Sequence, residues 1–119
     1  IARLRFPDSA VPDSLRENFS RMSEVCLAMI RLANQSLKDR DAVAALRMAE
    51  IDHEMDHLRR DHFGVLLGEN WSGSVEQAID VALLGRYFER FADHAVAVAR
   101  RVIYIITGQF PEGEEWPNA

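Results

Sequence analysis

The 119-residue sequence has a single cysteine, Cys26, so no internal disulfide can form. Its place on an apolar helical stripe marks it as a small buried hydrophobe rather than a nucleophile. Long hydrophobic runs are missing too. Stretches such as Val102 to Ile106 fall far short of the roughly 20 residues that a membrane span needs. No signal-peptide pattern opens the chain, and a cytoplasmic protein is expected. Basic charge is in deficit, with 14 Lys and Arg against 19 Asp and Glu for a net charge of −5. With its arginines interspersed, the chain does not look built to bind nucleic-acid phosphates. No segment alternates polar and apolar residues with period two, and proline and glycine are nearly confined to punctuation points, which leaves helices as the element type. What is present, 48% hydrophobic and 28% charged residues, is the composition of one globular domain large enough to bury a core without disulfides or a structural metal.

After Pro12, Ser14 and Glu17 have the spacing of a capping box. They open an amphipathic run with apolar residues at Leu15, Phe19, Met22, Cys26, Met29 or Ile30, Ala33 and Leu37. The polar stretch Lys38 to Asp41 interrupts it, Asp41 can cap a second helix, and that helix runs to Leu67 with Gly68 as its stop. A turn-rich GENWSGS linker leads to a second capping box, Ser74 with Gln77, and to a long third helix ending at Gly108. At about 1.5 Å per residue this helix is roughly 50 Å long. The expected fold is all-α, an antiparallel three-helix bundle over residues 12–108. Residues 1–11, with Pro7 and Pro12, read as the end of a preceding helix and a linker, and residues 109–119 as a C-terminal tail. Trp71 in the linker and Trp116 in the tail are expected to pack over helix ends.

At about 100° per residue the charges can be placed on faces. The core stripe of the second helix is Ala44, Met48, Ile51, Met55, Leu58, His62 and Val65. Asp52 and Asp56 lie about a quarter turn away, on a shoulder shared with Ala45, Ala49, Phe63 and Leu67. On the third helix the stripe is Val81, Leu84, Phe88, Ala92, Ala95, Ala99, Val102 and Ile106, and Glu89 with Asp93 fall on its shoulder beside Ala82, Gly85 and Val96. The two shoulders are offset in the same sense. Antiparallel packing turns equal offsets into mirror images, so both acid pairs can face one groove, provided neither helix kinks at Gly64 or Gly85. Acids at i,i+4 repel by a few tenths of a kcal/mol, and something cationic should sit among them. One reading is a hard cation on oxygen ligands, iron, manganese, magnesium or calcium, with zinc also open to carboxylates. The other is a salt-bridge lattice in which Arg59, Arg60, Arg86 and Arg90 supply the charge at i,i+3 and i,i+4.

Two motifs compete for attention. His53, Glu54 and His57 in HEMDH match the HExxH pattern of zinc proteases. They fall opposite the core stripe, however, Asp56 places a charge inside the motif, and no strand is available to align a peptide. Glu50 to His53 and Glu54 to His57 are ExxH elements of the di-iron kind, but that site needs them on two different helices. His62 is expected to be a satisfied core histidine, and His94 points away from the Asp93 shoulder.

The string RYFERFADHAVAVARRVIYIITG resembles the last-helix signature of the PhoU family, where an arginine-tyrosine pair leads into ExxxDH and a later YxxTG. IDHEMDHLRRDHFGVLL is similar to that family's DxxxD element and the apolar run after it. The resemblance covers roughly residues 12–108, and the YFERFADHA wording is similar to actinobacterial members. One departure is Ala97, where many members carry asparagine. PhoU proteins are built of two three-helix repeats, so the resemblance implies a second repeat, with Ile1 to Arg5 ending the first. It further implies a non-enzymatic regulator between the phosphate transporter ATPase and a phosphate-sensing histidine kinase, which keeps the phosphate-starvation response off. Such a protein would be peripheral to the membrane through its partners and a homodimer in full-length form. A multinuclear iron or zinc site, with magnesium or manganese possible, would take Asp52, Asp56, Glu89 and Asp93 as ligands. A helical interaction module without metal stays open beside this reading.

Overall fold

A computed structural model describes residues 1–109; the expected tail, with Trp116, lies almost wholly outside the described residues. The order is α1 (Ala2–Arg5), a 3-10 turn (Asp13–Leu15), α2 (Arg16–Asp39), α3 (Ala42–Leu66) and α4 (Val75–Thr107). Among the described residues there is no strand, and the chain is the all-α bundle that its periodicity predicts. The bridges between helices fix the directions. Arg21 of α2 meets Glu54 of α3, and Asn18 meets Leu58, so α2 and α3 are antiparallel. Phe19 of α2 packs on Phe88 of α4, and further along both helices Leu37 lines one groove with His94 and Val98, so α2 runs parallel to α4. None of the described helices is long and apolar enough to cross a membrane.

Local chemistry sets most boundaries. The side chain of Asp41 accepts from the N–H groups of Val43 and Ala44, and Arg40, at φ 49°, makes the left-handed turn between α2 and α3. At the start of α4 both halves of the capping box are made: Gln77 N–H donates to Ser74 Oγ at 3.1 Å, and Gln77 Oε1 accepts from Ser74 N–H at 3.0 Å. Gly108 ends α4 at φ 76°, where a residue with a Cβ is strained. Replacing Ser74 by alanine is expected to cost about 1 kcal/mol, seen as a lower urea midpoint with an unchanged m-value.

The other expected box, Ser14 with Glu17, does not form. Leu15 stands at the helix start, and no side chain caps it. Its N–H closes on Pro12 O at 3.0 Å, and its side chain is 2% exposed. Burying a leucine is worth about 2 kcal/mol and a cap about 1, so the chain turns to bury Leu15.

The core holds Met22, Met29, Met48 and Met55 with Leu15 and Val25, against Val81 and the alanines 92, 95 and 99 of α4. Both predicted stripes are buried or half-buried through the middle of the bundle and surface at their ends, at Val65 and Ile106. On α2, Met29 rather than Ile30 is inside. Leu37 is exposed while Ser36 is buried, its hydroxyl turned back to Ala33 O at 2.9 Å. A stripe followed in steps of three and four drifts around a 3.6-residue helix, and by Leu37 it has left the interface. Trp71 packs on the core edge. Arg5 clasps buried Asp80 at 2.6 and 3.2 Å and docks α1 on α4. Helices α3 and α4 run continuously past Gly64 and Gly85, which preserves the register on which the acidic groove depends.

Candidate cation-binding groove between α3 and α4

One turn of α3 separates Asp52 from Asp56, and one turn of α4 separates Glu89 from Asp93. The antiparallel pair brings them together. Asp52, Glu89 and Asp93 are half-buried and Asp56 is exposed. Burial pushes the Asp52 carboxyl up to about 6, and the charges of Asp56, Asp93 and Glu89 push the same way against His53. Asp93 is raised as well, by burial, Glu89 and Asp56, against Arg86 and His94. Carboxylates on two helices thus feel one another across the helix pair, as the rotational arithmetic predicts.

The salt-bridge lattice is only half built. Glu89 is paired with Arg86 on its own helix and, at 3.5 Å, with Arg59 across the interface. Among the described residues Arg60 and Arg90 make no ion pair, and neither Asp52, Asp56 nor Asp93 has a basic partner within ion-pair distance. An all-oxygen donor set with three unneutralised members has the chemistry of a hard-cation site. It is not preformed. Among the described residues no three His, Cys, Asp or Glu side chains converge as a metal cluster, so a cation would have to draw the acids together and take Glu89 from its arginines.

The remaining candidates resolve differently. Glu54 of HEMDH is held by Arg21 at 2.5 and 2.9 Å, which turns it toward α2 and makes it an interhelical tie, while His53 and His57 are exposed. Burial raises the Cys26 thiol, which keeps it protonated and inert near neutral pH.

His62 is in the core, fully buried, but it is not satisfied. Neither ring nitrogen has a hydrogen-bond partner among the described residues. Its ring lies 4.4 Å from that of Phe19. Burial lowers its pKa to about 4, neighbouring Arg59 adds to the shift, and Asp61 opposes it. Arg59, read from the sequence as a surface partner, is 8% exposed and crosses the α3–α4 interface, donating from Nη1 to Ala82 O at 3.2 Å. Gly85 makes room for both: a Cβ there would run into the Arg59 guanidinium and the His62 ring. The sequence signal was the glycine itself, which inside a helix costs about 1 kcal/mol relative to alanine and so needs a packing reason.

Comparison with known proteins agrees with the motifs. The family pattern described as PhoU domain matches residues 19–102. The chain is 42% identical over 118 residues to the phosphate-specific transport system accessory protein PhoU homolog 1 of Mycobacterium leprae, covering 99% of this chain and 53% of that protein. It is 43% identical over 111 residues to PhoU homolog 2 of Mycobacterium tuberculosis, covering 93% of this chain and 52% of the relative. The chain therefore spans about half the length of the curated relatives it matches. No solved structure matches it.

Proposed function

This chain belongs to the PhoU family, and from that premise we propose that it is a non-enzymatic, cation-binding regulator of phosphate uptake. Its partners are the phosphate transporter ATPase and a phosphate-sensing histidine kinase. It acts at the cytoplasmic face of the membrane through those partners, as a homodimer in its full-length form, and holds the phosphate-starvation response off. Relatives named as accessory proteins of phosphate-specific transport support the setting. The observation that carries the cation is that burial and the neighbouring acids raise the carboxyls of Asp52 and Asp93, while Asp52, Asp56 and Asp93 lack a counter-charge within ion-pair distance among the described residues.

Asp52, Asp56, Glu89 and Asp93 would hold a multinuclear iron or zinc site, with magnesium or manganese as alternatives. The bound metal supplies positive charge that neutralises the acids of α3 and α4. These residues, drawn to a common centre, then fix the two helices relative to each other and set the surface offered to a partner. Metal analysis of the purified protein and of a variant with all four acids changed to alanine tests the assignment. Metal is expected in the first and absent from the second, and equal content in both sinks it.

A second reading, a helical interaction module without metal, is favoured by one feature. The α2–α4 side of the bundle exposes Leu27, Ile30, Leu37, Tyr87 and Phe91, which line adjoining shallow grooves and form the kind of apolar patch that a protein partner covers. A chelator that leaves thermal stability and partner binding unchanged would select this reading.

A further inference from the structure

We infer that Arg59 is the internal counter-ion of the acidic groove and competes with a bound cation for Glu89, so that it sets the cation concentration at which the groove fills. This rests on the cation-binding reading above.

The guanidinium has a built seat. It lies 4.8 Å from the ring centroid of Phe63, donates to the Ala82 carbonyl, and occupies the space that Gly85 concedes by having no Cβ. A buried guanidinium cannot shed its proton, so it needs a negative partner, and Glu89 is the acid within ion-pair distance. The hold on Glu89 is loose. Arg59 Nε is 3.5 Å from Glu89 Oε2 and has no hydrogen-bond partner among the described residues. The arginine is thus firmly seated on the protein but weakly bound to the acid, as a displaceable counter-ion should be. Arg86 holds the same carboxylate from the solvent side.

Two consequences lower cation affinity. A cation that recruits Glu89 removes the partner of a buried charge, and Arg59 repels the cation directly. Arg59 Nε stands 3.5 Å from the Glu89 carboxylate that a bound cation would share. At that separation, with partial solvent screening, one unit charge changes affinity on the order of ten-fold. The pair also solves a problem of the empty state. Without Arg59 all four acids would be left without a buried counter-charge, and the groove would strain the bundle whenever cation is scarce.

The test is a Mn2+ titration followed by the paramagnetic resonance signal of the free ion, on the wild-type chain and on Arg59→Gln, Arg59→Lys and Arg86→Gln, with helix content checked by circular dichroism. Arg59→Gln is expected to bind about ten-fold tighter than wild type. Arg59→Lys keeps the charge and should stay within about two-fold of wild type, which a purely structural role for the planar fork would not produce. Arg86→Gln alters a half-exposed side chain, and should tighten binding by only about two-fold because water already screens that charge. Wild-type binding that Arg59→Gln leaves unchanged or weakens overturns the counter-ion inference alone. Binding by none of the four proteins overturns it together with the cation reading.

Discussion

Changing Asp52 to asparagine is expected to stabilise the cation-free protein at pH 7 by about 2 to 3 kcal/mol, a gain that disappears at pH 4. The carboxyl titrates at about 6 in the folded protein and near 3.9 in an unfolded chain. Its folded pKa is therefore raised. The folded state binds the extra proton between pH 4 and 6, and stability is lost as pH rises through that window. Two units correspond to about 3 kcal/mol at 1.36 kcal/mol each, reduced somewhat because Asp52 retains contact with water. Asparagine keeps the size and removes a charge that burial opposes first and that Asp56, Asp93 and Glu89 oppose as well. Urea denaturation with chelator present, at pH 7 and pH 4, measures the difference, and equal stability of the two proteins at pH 7 would show that burial and the neighbouring acids together do not raise the Asp52 carboxyl in the folded state. Added cation should close the gap. Saturation at a hundred times Kd stabilises a binding protein by about 2.7 kcal/mol, which the wild type gains and the variant largely forgoes. The acids thus cost stability in the empty state, as expected of groups retained for binding rather than for folding.

What could be read from the sequence was what depends on near neighbours along the chain. Asp41, the Ser74 and Gln77 box and Gly108 act within one helical turn, and the helix ends they predict are the ends observed. Rotation by 100° per residue is also local, and it suffices to put Asp52, Asp56, Glu89 and Asp93 on facing shoulders. What the sequence did not show needed distant partners or a contest between two terms. The Ser14 cap lost to the burial of Leu15. Glu54 found Arg21, 33 positions away, and Arg5 found Asp80, 75 positions away. Arg59, His62 and Gly85 form a packing problem shared by two helices, and no helical wheel drawn one helix at a time shows that the arginine must pass where the glycine is.

His62 supplies the opposite pH response, and its removal should reveal it. The imidazole titrates at about 4 in the folded core and near 6.5 when unfolded. The depressed folded pKa means that the stability associated with neutral His62 is complete above pH 6.5 and is lost as pH falls toward 4, by about 3 kcal/mol in total. The nitrogens make no hydrogen bond that would accept or hold the added proton, and Arg59 repels the cation that would form. Leucine, of similar volume, has no nitrogens to desolvate, so His62→Leu should be at least as stable as wild type at pH 7. Relative to wild type it should gain a further amount of about 3 kcal/mol on acidification to pH 4. Asp52→Asn, measured in the same way, should move in the opposite direction across nearly the same window. In the wild type these two titrations offset each other, because acidification relieves the Asp52 carboxylate while it charges the His62 core. The double variant should therefore regain a wild-type slope of stability against pH. Two single variants that tilt the same way would show that one of the two groups is not where the fold places it.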